Sequence, residues 1–384
     1  MLEAPLKILL TDPHLKGGGQ VRYVTNLAAA LTRMGHSVAI GCKPDSILVD
    51  KAREAGCEVR NEFTFRGGLR PRAWKHDLAA MRAYIRSELP DIIHASGSQD
   101  HWVAASANKS LQRPVCLVRT RHNTYRVSDA LPNRVLNRKW TDYQIVVCDM
   151  VRRQLASQAA FRAERLCTIH NGVDATLYQP DPEARARVRA EFGYEDDHIV
   201  VGIAARLVVA KGHSFLFKAA SMLVREFPKM RLLVLGQGPL EETLKQSALI
   251  CGLGGIIRFA GFREDMPACV QAFDIGVQPS IDCDTSSFAL KEQMAAGKPV
   301  IASDYGGLTE IVTDGGEGYI VPAGSISPLA AALTKLLRDP QKRAAMGEKA
   351  RERVLQEFTI QAFAEKTVAA YRTALELHRA LAAH

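Results

Sequence analysis

Residues 168–174 read Thr-Ile-His-Asn-Gly-Val-Asp, and beyond them the pattern that built the first half of the chain begins again. Before this stretch, short apolar runs at Lys7–Thr11, Ser37–Gly41, Asp91–His94, Pro114–Thr120 and Tyr143–Cys148 alternate with helical stretches such as Val21–Met34 and Trp74–Glu88. After it, His198–Ala204, Met230–Leu235, Ile256–Phe259, Ile275–Val277 and Pro299–Ala302 read as a second set of strands, separated by helices such as Gly212–Glu226 and Leu240–Cys251. Strands this short and this continuously apolar belong in a parallel sheet covered on both faces. The expected fold class is α/β, with two Rossmann-like, doubly wound domains at 1–165 and 166–358. They are expected to face a cleft, with ligands at the carboxyl ends of the strands. The last stretch, 359–384, has no helix breaker and repeats Ile360, Phe363, Thr367, Tyr371 and Leu375 at steps of three or four. It is expected to form an amphipathic helix packing back on the first domain.

Composition excludes several classes. The 384 residues are 47% hydrophobic and 24% charged, which suits globular domains rather than fibrous or disordered chain. No apolar run reaches the ~18 residues a membrane-spanning helix needs. The start, MLEAPLKILL, has an early acidic residue and lacks the charged, apolar and cleavage regions of a signal peptide, so a cytoplasmic protein is expected. The eight cysteines are scattered without a C-x-x-C pair and read as reduced core thiols rather than disulfides or a zinc site. Charge is uneven: residues 1–165 hold 26 Lys and Arg against 15 Asp and Glu, whereas the remainder holds 24 against 26. The first half therefore faces an anionic partner or simply carries charge for solubility.

Several segments carry types of residue suited to phosphate. Gly17, Gly18 and Gly19 follow the first strand and open a helix, where free N–H groups and the positive dipole end favour an anion, although a plain glycine turn explains them equally well. Arg206 ends a strand and Lys211 precedes the next helix, and two cations so spaced suit a diphosphate. Gly236-Gln237-Gly238 lacks the third glycine of a dinucleotide loop, and Gly261-Phe262-Arg263 offers backbone atoms to a base. The segment Asp284-Thr285-Ser286-Ser287-Phe288-Ala289-Leu290-Lys291-Glu292 differs in kind. It sets one carboxylate in a loop before a helix and a second on that helix, so that N–H donors meet phosphate while carboxylates accept sugar hydroxyls.

In order, these segments resemble the retaining glycosyltransferases of the GT-B fold known as glycosyltransferase family four, or glycosyl transferases group one. The resemblance runs through GGGQVRYVTNLAAALTRMGH, DIIHAS, IHNGVDATLYQP, ARLVVAKG, LVLGQGPLEETL, FAGFREDMPACVQAFDIGVQPS and DTSSFALKEQMAAGKPVIASDYGGLTEIV. It implies that Asp284 contacts donor-sugar hydroxyls and that Glu292 holds the ribose. It also implies that backbone N–H groups at Ser287, Phe288 and Ala289 meet the diphosphate with Arg206 and Lys211, and that the Gly17–Gly19 loop closes on the donor. Gly236, Phe262 and Arg263 would line the base pocket, and His122, in VRTRHNTYR, would reach the reacting sugar. No metal or other cofactor is implied; the co-substrate is a nucleotide-diphosphate sugar. Two departures fall at the sugar: Asp284 stands where the family has Glu, and Ser286-Ser287 replaces Phe-Gly.

The acceptor is expected on the first domain, with Arg66, Arg70, Arg121, Tyr125 and Arg126 as candidate contacts. The expected function is retaining, metal-independent transfer to a saccharide or lipid-linked saccharide in bacterial cell-surface glycan synthesis, such as lipopolysaccharide. The enzyme would then sit in the cytoplasm or peripherally on an anionic membrane face. The alternatives are a cytosolic transferase acting on a sugar phosphate and a non-catalytic binder of sugar nucleotides or nucleic acid. No nucleic-acid motif accompanies the basic half.

Overall fold

The computed structural model describes residues 4–68 and 70–382. Met1–Glu3 of the N-terminal stretch and Ala383–His384 of the expected terminal helix lie outside the described residues. The chain divides into two compact units, one formed by everything up to Gly172 together with the chain from Ile360 onward, the other by Val173–Thr359.

The first unit holds seven parallel strands: β1 (Lys7–Thr11), β2 (Ser37–Gly41), β3 (Glu58–Arg60), β4 (Ile92–Ala95), β5 (Cys116–Arg121), β6 (Tyr143–Val146) and β7 (Leu166–Thr168), in the order β3-β2-β1-β4-β5-β6-β7. The boundary falls past the expected 165/166 because β7 pairs with β6. Alternation along the strands explains how both faces are filled. Leu9, Ile93 and Leu117 point into one core with Met81, Tyr84 and Val103 from the helices Pro71–Glu88 and Ser98–Ser110. The next residue along β4, His94, points to the other face, where the helices Gly19–Arg33 and Ile360–Ala382 pack.

On that face lies a buried polar chain. His94 bonds Thr120 Oγ1 through Nε2 (2.6 Å) and Tyr371 Oη through Nδ1 (2.6 Å), and Thr120 is in turn 3.0 Å from Tyr23 Oη. Tyr23 lies against Phe363, with ring centroids 4.9 Å apart. The terminal helix is thereby tied to β4 and β5 by hydrogen bonds as well as by apolar packing. Inside a low-dielectric core these bonds must all be made, since a lost partner strands a buried polar atom at ~1–3 kcal/mol.

The second unit holds six parallel strands: β8 (Ile199–Ala204), β9 (Met230–Leu235), β10 (Ile257–Gly261), β11 (Ile275–Gln278), β12 (Val300–Ser303) and β13 (Gly318–Val321), in the order β10-β9-β8-β11-β12-β13. Period two is plain here as well. Val201, Ile203, Leu232 and Val234 enter one core, and Val200, Ala204, Leu233 and Leu235 enter the core on the opposite face. Each such side chain removed from water contributes ~1.5–3 kcal/mol. No helix among the described residues is long and apolar enough to cross a membrane. All eight cysteines are free thiols, five of them buried.

Burial pushes the pKa of His94 from 6.5 down to about 3, with Arg119 adding to the effect. The unfolded chain therefore binds a proton near pH 6.5 that the folded chain refuses, so this contribution to stability is present above pH 6.5 and lost as pH falls below it. Unfolding titrations in denaturant between pH 8 and pH 5 should show stability falling on the acid side, and His94→Gln should make that fall shallower. An identical acid limb in the variant would contradict the buried neutral imidazole.

Candidate functional site

In the second sheet the chain runs outward from β8 through β9 to β10, then crosses to β11 on the other side of β8. The loops leaving β8 and β11 flank that reversal, the place where open α/β sheets bind ligands. Lys211 stands on the first loop and Asp284 on the second, and Lys211 Nζ lies 2.9 Å from Asp284 Oδ2. The same oxygen accepts from Gln278 Nε2 (2.9 Å) and Ser280 Oγ (2.7 Å). Among the described residues no donor is directed at Oδ1. One carboxylate oxygen is thus saturated and fixed, and the other keeps its capacity to accept from a ligand hydroxyl.

The backbone fits these loops closely. Gly212 has φ +71°, and a Cβ there would run into the carbonyl oxygen of Pro279. Gly306 has φ +65°, and a Cβ there would strike the carbonyl oxygen of Asp284, which also accepts from the amide of Gly307 (3.2 Å). Cys283, just before Asp284, adopts φ +50°, a left-handed conformation that costs a non-glycine residue ~1–3 kcal/mol and clusters at functional sites.

After Asp284 the chain enters the helix Phe288–Ala295, capped by Ser287, whose Oγ accepts from the amide of Leu290 (3.2 Å). The helix is buried continuously from Leu290 to Ala295, charged residues included: Lys291 is 0% exposed and Glu292 3%. Lys291 Nζ donates to Ser286 Oγ (2.9 Å) and lies 5.3 Å from the centre of the Phe358 ring. A fixed lysine thus supports the loop where the chain departs from its expected family pattern.

In the first unit, the loop after β1 is pinned by Asp12. Its Oδ1 accepts from the His14 amide (2.7 Å) and its Oδ2 from Gln20 Nε2 (2.8 Å). The intervening glycines 17–19 are exposed, and a Cβ on any of them would meet nothing within 4 Å, so they leave open space above the helix start. At the end of β5, His122 stacks edge-on against Tyr23 with centroids 4.6 Å apart. Burial, then Arg119, holds its pKa well below 6.5, so the imidazole is neutral near pH 7. Arg119 and Arg121 alternate with Thr120 on β5 and turn to the opposite face, into a cavity of about 340 Å³.

The sequence matches Glycosyltransferase Family 4 over residues 17–177 and Glycosyl transferases group 1 over residues 184–353. A GDP-mannose-dependent alpha-(1-6)-phosphatidylinositol monomannoside mannosyltransferase of Mycolicibacterium smegmatis is 30% identical over 311 residues, covering 76% of this chain and 81% of the relative. The chain belongs to glycosyltransferase family four. A D-inositol 3-phosphate glycosyltransferase of Kribbella flavida is 28% identical, with 94% of this chain and 91% of the relative aligned. The fold matches the crystal structure of Anabaena HepE in complex with UDP (TM-score 0.84, 23% identity, 96% and 100% covered). It also matches a glycosyltransferase from Rickettsia africae (TM-score 0.87, 20% identity, 97% and 99% covered). This family-four protein is a nucleotide-sugar glycosyltransferase with two parallel-sheet GT-B domains.

Within the glycosyltransferase, the structure brings Lys211 and Asp284 into one ion pair rather than presenting them separately, and it adds Gln278 and Ser280, which sequence reading passed over. Arg206 is exposed, with no ion pair among the described residues. The Arg263 side chain is engaged by Glu191 Oε2 (3.0 Å) and Asp265 Oδ1 (2.7 Å), which leaves backbone as its means of meeting a ligand, and Phe262 beside it is 65% exposed. Gly236 is packed so that a Cβ would strike the carbonyl of Ala205, so its first role is close loop packing. Of the acceptor candidates, Arg121, Tyr125 and Arg126 line the cavity on the first unit; Arg66 and Arg70 are exposed and do not.

A double-mutant cycle tests the central pair. Lys211→Ala and Asp284→Asn should each destabilise the protein, and the double variant should fall short of their sum by ~1 kcal/mol or more in denaturant unfolding. Additive effects would mean that the two charges do not interact.

Proposed function

We propose that the glycosyltransferase moves a sugar from a nucleoside-diphosphate sugar held by the second unit to a hydroxyl of an acceptor held by the first, with retention of configuration and without a metal. The observation that carries this reading is Asp284, fixed through Oδ2 by Lys211, Gln278 and Ser280 while Oδ1 keeps its capacity to accept from a ligand hydroxyl. Glu292 would hold the ribose, and the amides of Ser287, Phe288 and Ala289 at a helix start suit the diphosphate. Gly236, Phe262 and the backbone of Arg263 would border the base, and the open loop of Gly17–Gly19 would approach the donor.

In the reaction the bond from the anomeric carbon to the diphosphate oxygen breaks while a bond to the acceptor oxygen forms on the same face. The acceptor proton passes to the departing phosphate. Negative charge grows on the leaving group, and Arg206 and Lys211 supply the positive charge that stabilises it, the part a metal ion plays elsewhere. Neutral His122 offers hydrogen bonding to the reacting sugar rather than a charge.

We place the reaction in bacterial cell-surface glycan synthesis on a lipid-linked saccharide, at the inner face of the cytoplasmic membrane. The support is the relative whose name specifies a phosphatidylinositol mannoside, together with the basic first half of the chain. A second reading, transfer to a small soluble phosphorylated acceptor, is favoured by the likeness to the D-inositol 3-phosphate enzyme over nearly the whole chain.

A melting-temperature screen against UDP-, GDP- and ADP-sugars should single out one base, since a ligand bound only to the folded state raises the midpoint. With that donor, Lys211→Ala should cut turnover ~10²–10³-fold while leaving a folded protein, and a chelator should leave the wild-type rate unchanged. A near wild-type rate in Lys211→Ala would sink the assignment of Lys211 to the leaving group.

A further inference from the structure

The cavity on the first unit has an unusual charge inventory. It is lined by Arg119, Arg121 and Arg126, with Asn123, Asn137 and Ser98 among the neutral polar groups, and no Asp or Glu is among its lining residues. Among the described residues the partners of Arg121 are all neutral: Asn137 Oδ1 at 3.1 Å from Nη2, Gln144 Oε1 at 3.4 Å from Nε, and the face of Phe161 at 5.1 Å. Arg119 donates to the carbonyl of Gly97 and is ion-paired with buried Asp100, Nη1 lying 4.0 Å from Oδ1. Thr11 and the amides of Ser96 and Gly97 bond Asp100 Oδ2, while Oδ1, the oxygen that faces Arg119, has no hydrogen-bond partner among the described residues. Arg126 is exposed at the rim, with no ion pair among the described residues.

The two guanidinium groups, two residues apart on one face of β5, repel each other; Asp100 balances Arg119, whereas no carboxylate among the described residues pairs with Arg121. The strain shows in Arg121, whose pKa is pushed down to about 9, by burial first and by Arg119 second. Pairing stabilises a cation sheltered from water, and it is Arg121 that lacks an anion. A phosphate ester, with up to two negative charges and three free oxygens, can meet both Arg121 and Arg126; a single carboxylate has two oxygens and one charge.

We propose that this cavity binds the phosphate ester of the acceptor substrate. Arg121 and Asn123, which line it, flank His122 in sequence, so the acceptor's phosphate would be anchored beside the residue assigned to the reacting sugar. The volume of about 340 Å³ suits a phosphorylated sugar or polyol headgroup. This inference rests on the reading of the first unit as the acceptor side, and the same chemistry is offered by a soluble sugar phosphate and by a phospholipid headgroup.

The test is calorimetric titration of the full chain with glucose 6-phosphate and with glucose, in wild type, Arg121→Gln, Arg126→Gln and Lys211→Ala. Glucose 6-phosphate should bind and glucose should not. Arg121→Gln and Arg126→Gln should each weaken binding about tenfold or more, equivalent to ~1.4 kcal/mol, and Lys211→Ala should leave it unchanged. Arg126→Gln removes an exposed side chain, so its melting temperature should match wild type and its loss of binding cannot be blamed on misfolding. Undiminished binding in both arginine variants, loss only in Lys211→Ala, or no binding at all would overturn the proposal. Nucleotide binding measured on the same variants reports on the donor reading separately. Pelleting with phosphatidylcholine vesicles, with and without phosphatidylglycerol, then identifies the source. Pelleting lost in Arg126→Gln assigns the phosphate to a lipid headgroup; pelleting unaffected while glucose 6-phosphate affinity falls assigns it to a soluble ester.

Discussion

One oxygen atom organises the second unit's site. Asp284 Oδ2 gathers an ammonium, an amide and a hydroxyl from the two loops that leave β8 and β11. Because all three donors converge on the same acceptor, the loops cannot drift independently, and the glycines at 212 and 306 let their backbones close to the distance this requires. The arrangement also settles an electrostatic problem. A lysine and an aspartate this deep would each cost several kcal/mol alone, and pairing them keeps the site stable between ligands. Lysine suits the position because its ammonium carries three protons: one goes to Asp284 and one is directed at the carbonyl of Cys283 (3.4 Å), which leaves the third available to a ligand.

In the first unit the organising constraint is the period of two along β5. Thr120 faces the helices and joins the buried chain from Tyr23 through His94 to Tyr371, while Arg119 and Arg121 face the other way, into a polar cavity. A single strand end thus separates a neutral, tightly bonded network from an excess of positive charge. His122, the residue that follows, is packed against the neutral side. Arg119 lowers its pKa and that of His94, so the cavity's charge helps keep both imidazoles uncharged.

Much of this was legible in the sequence. Lys7–Thr11, Ser37–Gly41 and Met230–Leu235 are strands with the expected bounds because burial on both faces leaves a continuous apolar run to read. The strands passed over, Glu58–Arg60, Leu166–Thr168 and Gly318–Val321, are three or four residues long and stand at or next to a sheet edge. There only one neighbour demands an apolar side chain, and the pattern fades. At the site, Asp284, Lys211 and Glu292 could be named from local spacing, but the pairing could not. Lys211 and Asp284 meet across 73 residues, and Gln278 and Ser280 are unremarkable polar residues until the fold turns them toward one oxygen. Asp12 and Lys291 were overlooked for the same reason: their partners lie off the helix and strand periods that sequence reading uses.

The chain passes from the first unit to the second at Gly172 and returns at Thr359, and these crossings have a consequence for biosynthesis. Val173 and Thr359 form a parallel bridge, and the Val173 amide donates to the carbonyl of Phe358 (2.8 Å), so the second unit begins and ends at one point, like a domain inserted into another. The first unit is completed only by the helix Ile360–Ala382, whose Tyr371 closes the chain of hydrogen bonds through His94. During synthesis the second unit can fold as soon as it emerges, whereas the first waits for the helix Ile360–Ala382. A polypeptide lacking that helix would therefore retain the second unit's fold without a finished first unit.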